Sequence, residues 1–383
     1  DNSYPVKNAG PYHNYYDKAN GLKNFYNVIP ARKKATVTFL GGSITYNPGW
    51  RQKVCRYLKE RFPDAKFRFI AAGIPSLGSL PHAFRLQRNV LDSGKTDLLF
   101  VEAAVNDRAN STDSITQVRA LEGIIRHAKK SNPDMDIVMM AFADPEKTAD
   151  FNNGIVPAEI ANHRLLSHYY HLPFINLGKE VWDKMSHHEF SWDDDFKDLH
   201  PAAFGQELYF ATIRRLLQDC VDHPPGRLPG PALSLPKPLD KANLQNGKYY
   251  DIKNAVYKSG WTITPQWQPS DGLPTREGFV NIPVLSSGTP GAELSLPFKG
   301  TAVGIAIVSG SDAGIISYAI DNGKFKNLDL YTQWSGMLHL PWYLLLGSDL
   351  KQGNHILKLR IRAQKTKASK GTTCRIINFL INE

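Results

Sequence analysis

Four sites within the first 200 positions carry residue types suited to acyl transfer: a serine after two glycines (Gly41-Gly42-Ser43), a glycine in Ala71-Ala72-Gly73, an asparagine in Asn106-Asp107, and a histidine in Asp198-Leu199-His200-Pro201. A serine hydroxyl is a weak nucleophile until a neutral, oriented imidazole takes its proton. His200 is the candidate base. Attack on an ester carbonyl builds negative charge on oxygen, which preorganised N–H donors stabilise more in the transition state than in the ground state. The backbone N–H groups of Ser43 and Gly73 and the side-chain amide of Asn106 are the candidate donors of this oxyanion hole. Losing one such donor typically costs about 3 kcal/mol of barrier. Taken singly, each residue has a bland explanation: a turn serine, a tight βα turn, a helix-capping pair, an exposed histidine before proline. Their joint occurrence points to a site.

To meet, these residues must be carried to one rim, and in an open α/β sheet that rim lies at the carboxyl ends of the strands. From about residue 35 to 220, short apolar runs alternate with longer amphipathic stretches, the pattern of βαβ units. The runs predict strands at 36–41, 67–73, 97–105, 136–143 and 173–177, with Ser43, Gly73 and Asn106 at or just past the ends of the first three. Helices are predicted at 48–62 with Asn47 as N-cap, at 115–130, and at 201–220. The expected fold is a three-layer α/β/α sandwich around a five-stranded parallel sheet. Residues 1–34 read as an N-terminal extension and 35–222 as the α/β domain that carries the four blocks. Six prolines (Pro224, Pro225, Pro229, Pro231, Pro236, Pro238) make 223–240 a semi-rigid linker. From 241 to 383 short alternating runs take over, with an Asp321-Asn322-Gly323 turn and with Leu357, Leu359 and Ile361 alternating with Lys358, Arg360 and Arg362. An all-β sandwich of jelly-roll type is expected there.

The four blocks resemble those of the SGNH, or GDSL-type, hydrolases. Ser43 in Gly-Gly-Ser-Ile-Thr matches the nucleophile block, Gly73 in Ala-Ala-Gly-Ile-Pro the glycine block, Asn106 in Ala-Val-Asn-Asp the asparagine block, and His200 in Asp-Leu-His-Pro the last block. The resemblance covers about 35–220 and implies a flavodoxin-like fold and ester hydrolysis with neither metal nor organic cofactor. Three positions depart from it. Gly42 stands where the family often has Asp and Ala104 where it often has Gly, both expected to matter little. The acid usually lies three residues before the histidine, where this chain has Lys197. Asp198 is therefore the expected orienting acid and Asp195 the alternative.

Composition narrows the partners. The 46 basic and 36 acidic residues give +10, but residues 1–225 carry 28 and 26 of them and residues 226–383 carry 18 and 10. The excess marks the accessory domain, where Lys358, Arg360 and Arg362 read as the wet face of one strand, so no nucleic-acid partner is expected. No stretch approaches the ~18 apolar residues that span a bilayer. Cys55, Cys220 and Cys374 lie too far apart for a metal or dithiol motif. Asp193-Asp194-Asp195 reads as a solvated loop, and no metal site is expected. The chain opens on Asp1 without methionine, so an exported protein (periplasmic, cell-surface or secreted) is expected.

Trp50, Arg51 and Arg85 lie close to the blocks, and Trp334, His339 and Trp342 gather aromatic and polar groups in one stretch of the β-domain. All six are candidate substrate contacts, because sugars stack on aromatic faces and hydrogen-bond at their edges. Glu102, inside an apolar run, is either paired in the core or a support of the site. The expected function is a serine esterase removing acyl, chiefly O-acetyl, groups from a carbohydrate. The alternatives are a lipid esterase or thioesterase of the same fold, and an inactive glycan-binding protein.

Overall fold

The structure, a computed structural model, describes residues 12–224 and 235–383. The chain forms two compact units, the second made of Asn246–Glu383 together with the short piece Ala83–Arg85. Most of the expected linker, 225–234, lies outside the described residues. Its continuation is tied to the first unit: the Glu122 carboxylate accepts the N–H groups of Leu239 and Asp240, and Arg119 pairs with Asp240 at 2.7 Å.

The first unit runs β1 (Tyr16–Asp17), α1 (Lys23–Arg32), β2 (Lys34–Gly41), α2 (Ser43–Tyr46), α3 (Trp50–Arg61), β3 (Lys66–Gly73), α4 (Ser79–Asn89), β4 (Leu98–Glu102), α5 (Ala104–Ala109), α6 (Ser114–Ser131), β5 (Asp136–Ala141), α7 (Pro145–Asn152), α8 (Ala158–Tyr169), β6 (Phe174–Asn176), α9 (Leu177–Ser186) and α10 (Ala203–Asp222). The sheet order is β1-β6-β5-β4-β2-β3, with β2 to β6 parallel. All residues of β4 and β5 are buried, as expected of central strands covered on both faces. The five expected parallel strands are present. A two-residue edge strand, β1, adds antiparallel to β6; so short a strand is held by main-chain bonds and leaves no period in the sequence.

Several element boundaries differ from expectation by one to three residues, and two of the shifts have a local cause. The helix predicted at 48–62 begins at Trp50 with Gly49 as its N-cap, while Asn47 closes the separate four-residue α2. Gly49 has φ +152° and donates its N–H to the Gln52 side chain, a local bond that fixes the later start. The strand predicted at 97–105 stops at Glu102, and the chain turns into α5. The Glu102 carboxylate accepts the Val105 N–H at 3.2 Å and so supplies the cap of that turn.

The second unit contains eleven strands: β7 (Gly247–Tyr250), β8 (Val256–Tyr257), β9 (Thr262–Trp267), β10 (Ile282–Ser287), β11 (Glu293–Gly300), β12 (Ala302–Ser309), β13 (Ile315–Ile320), β14 (Lys326–Asp329), β15 (Leu340–Gly347), β16 (Gly353–Ile361) and β17 (Cys374–Asn382). They form two antiparallel sheets, β15-β12-β17-β10-β9 with β7 also on β17, and β14-β13-β16-β11-β8. Leu296, Ile305, Ile316, Leu357, Leu359 and Phe379 pack in the core of this sandwich. On β16 the alternation is as expected: Leu357, Leu359 and Ile361 are buried, Lys358 is exposed, and Arg360 pairs with Glu293, its register partner on β11. No helix among the described residues is long and apolar enough to cross a membrane.

Candidate active site

The parallel register places Gly41 beside Gly73 at the carboxyl ends of β2 and β3. Ser43, the first residue of α2, follows at once, and α2 rests on Gly73. A Cβ at position 73 would lie 2.4 Å from the Tyr46 nitrogen and 2.7 Å from its Cα. Only a residue without a side chain allows that approach.

Asn106 is the third residue of α5 and is buried. Its side-chain nitrogen lies where a side chain on residue 42 would be: a Cβ there would come within 1.9 Å of Nδ2. The glycine that departs from the family pattern is thus the residue that admits the amide beside the nucleophile.

Asp107 is fully buried and caps α4, its Oδ1 accepting the backbone N–H and the hydroxyl of Ser79 at 2.8 and 2.9 Å. Burial pushes its pKa up to about 7.

From the other end of the unit, the segment before α10 brings in the imidazole. His200 Nε2 and Ser43 Oγ are 2.7 Å apart, the separation at which a neutral imidazole accepts the hydroxyl proton. Asp198 Oδ1 accepts the backbone N–H of His200 at 2.5 Å and lies 3.5 Å from His200 Nδ1. Asp195 is turned away, its carboxylate accepting the Ser191 N–H at 2.9 Å. Lys197, at the usual place of the acid, closes that turn in a left-handed conformation, φ +79°. Asp198 is the carboxylate on the His200 side. Among the described residues no group of three or more His, Cys, Asp or Glu is placed to hold a metal ion.

The substrate candidates beside the blocks are displaced by packing. Trp50 is fully buried among Phe39, Phe100 and Phe142, with its indole N–H on the Ile44 carbonyl, so it is core. Arg51 donates to the carbonyls of Thr45 and Tyr46 at 2.9 and 3.4 Å and braces the end of α2. Arg85 is fully buried, which lowers its pKa to about 10, and it cannot meet a substrate in solvent at the rim. In the β-domain His339 is buried and binds Asp271 at 2.8 Å with its ring edge-on to Trp267, a packing role. Trp334 and Trp342 remain half-buried neighbours, ring centroids 6.0 Å apart.

Two groups behind Asn106 escaped sequence reasoning. Lys147, fully buried, donates to the Asp144 carboxylate and, at 2.9 Å, to the Ala104 carbonyl. Nothing in the spacing marks Lys147. Asp144-Pro145, a cap followed by proline, marks only the start of α7.

Residues 39–208 match the model of the GDSL-like lipase/acylhydrolase family. No curated protein sequence matches the chain. Among solved structures, a two-domain esterase active on acetylated mannans aligns over 97% of this chain and 98% of its own, with a TM-score of 0.78 and 18% identity. A crystal structure of such an esterase co-crystallised with mannopentaose aligns over 97% of both chains, with a TM-score of 0.77 and 18% identity. At that identity the likeness establishes a shared two-domain fold.

Proposed function

Since residues 39–208 belong to the GDSL-like lipase/acylhydrolase family, and the chain is a carboxylic ester hydrolase, we propose that it removes O-acetyl groups from a carbohydrate through Ser43, His200 and Asp198. The observation that carries the reading is the 2.7 Å contact between Ser43 Oγ and His200 Nε2. As Oγ bonds to the acyl carbon, His200 takes the hydroxyl proton, and the carbonyl π pair moves onto oxygen. The N–H groups of Ser43 and Gly73 and the Asn106 amide receive that oxyanion. Collapse breaks the bond to the sugar oxygen, which leaves with the proton from His200. Water repeats the sequence on the acetyl-serine: His200 removes its proton, acetate departs, and the proton returns to Ser43. Asp198 orients the imidazole.

Support for a carbohydrate comes from the shared fold of esterases active on acetylated mannans and from the half-exposed pair Trp334 and Trp342.

Acetate release from acetylated mannan and xylan, measured beside hydrolysis of aryl esters of rising chain length, tests the reading. Release from a glycan, lost in Ser43→Ala, is the expected result. Cleavage of aryl acetates without release from any acetylated glycan overturns the substrate. A rate that climbs with chain length transfers the enzyme to lipid or thioester substrates. Absence of fluorophosphonate labelling at Ser43 removes the esterase mechanism.

A further inference from the structure

The peptide group joining Ala104 to Val105 is held at both ends by buried ionisable side chains. Its carbonyl accepts from Lys147 Nζ at 2.9 Å, and its N–H donates to Glu102 Oε1 at 3.2 Å. A cation at the oxygen and a carboxylate at the N–H match the peptide dipole, and inside a protein both contacts act through a low dielectric. Glu102 accepts a second N–H, from Phe142 at 3.4 Å, while Lys147 is paired with Asp144. Glu102, Lys147 and Asp144 are all buried, so little water competes for these bonds. One residue beyond the clamped peptide stands Asn106, whose amide nitrogen occupies the space left by the missing side chain of Gly42.

We propose that Glu102 and Lys147 are positioning residues for the reaction, clamping the 104–105 peptide so that the Asn106 amide is aimed at the oxyanion. This rests on the reading in which Asn106 is an oxyanion donor. A donor contributes fully only when it is fixed before charge develops, and a rotation of the preceding peptide re-aims the side chain. The groups facing Glu102 are Lys147 of α7 with its cap Asp144, Asp107 of α5, and Tyr209 of α10. Burial outweighs the attraction of Lys147 and raises the Glu102 pKa to about 7. The clamp is therefore fully charged only above neutrality, and protonation of Glu102 weakens its grip on the Val105 N–H.

A double-mutant cycle on a soluble aryl acetate tests this, with circular dichroism and thermal unfolding confirming that each variant is folded. Glu102→Gln is expected to lower kcat by about 10-fold or more, within the range for weakening one oxyanion donor, with KM changed less than about twofold. In an Asn106→Ala background the same substitution is expected to have no further effect. The component of the kcat/KM profile that follows the Glu102 carboxyl, near pH 7, is expected to be missing in Glu102→Gln. It moves to higher pH in Lys147→Met, where the carboxyl has lost its cation. If one of the two variants does not fold, the other carries the test from its own end of the peptide. Equal slowing by Glu102→Gln with and without the Asn106 amide overturns the proposal, as does a rate scaled alike at every pH. Full activity in Asn106→Ala would instead overturn the oxyanion reading beneath it.

Discussion

On the serine side of the rim, Ser43, Gly73 and Asn106 sit on elements whose surroundings are buried. The α2 backbone lies against Gly73, Asn106 fills the space at Gly42, and charged groups under α5 are satisfied in the core. On the histidine side, His200 and Asp198 have side chains 44% and 67% exposed, and the turn before them is closed by Lys197 and by Asp195 bound to Ser191. The first side is preorganised by packing, and the second by a few bonds in solvent. The comparison indicates where this family pattern tolerates change. The carboxylate beside His200 is exposed, and the ring it lies next to already stands at the serine. A buried donor depends on every neighbour that makes room for it.

Substitutions that probe the buried side should have the largest effects. Ser43→Ala removes the nucleophile, and hydrolysis of an aryl acetate should fall by at least about 10³-fold. Asn106→Ala should lower kcat by about 10²–10³-fold with little change in KM, measured in the same assay. Gly42→Ala introduces a Cβ where the amide lies, so it should behave as a weaker Asn106→Ala, with kcat reduced by about 10-fold or more. A fully active Gly42→Ala would break the contrast between the two sides.

Across the rim the effects should be smaller. Asp198 lies 3.5 Å from His200 Nδ1 at an exposed site, so Asp198→Ala should reduce kcat/KM by less than Asn106→Ala does, measured in the same assay. Asp195→Ala should leave the rate unchanged. A large loss in Asp195→Ala with none in Asp198→Ala would reassign the acid.

The smallest effect is on stability. The Asp107 carboxyl keeps its proton in the folded state to about pH 7, whereas in the unfolded chain it ionises near ~4. Between those values the unfolded state binds fewer protons, so this group's contribution to stability is present below the lower value and is lost as the pH rises through the upper one. Asp107→Asn should flatten the fall in melting temperature between pH 5 and 8, followed by differential scanning fluorimetry.

Local sequence determined more of the frame than of the site's lining. Apolar runs such as 98–102 and 136–141, buried in full, marked the parallel strands because a strand covered on both faces has no polar face to interrupt it. The serine, glycine and asparagine blocks could be placed on the frame because they follow strand ends, whereas the histidine block stands before α10. The alternation on β16 marked the accessory sandwich. Local spacing did not reveal which side chains would be spent on the core. Trp50 read as a contact from its place in the chain, yet Phe100 and Phe142, distant in sequence, cover it. Asp198 was the expected acid and Asp195 the alternative, but spacing could not show that the turn directs Asp195 to Ser191. Lys147 met Ala104 across 43 positions with no motif to announce it. Residue type and period are set by near neighbours along the chain. Burial, the partner of a charge and the direction of an amide are set by contacts the chain makes only after it has folded.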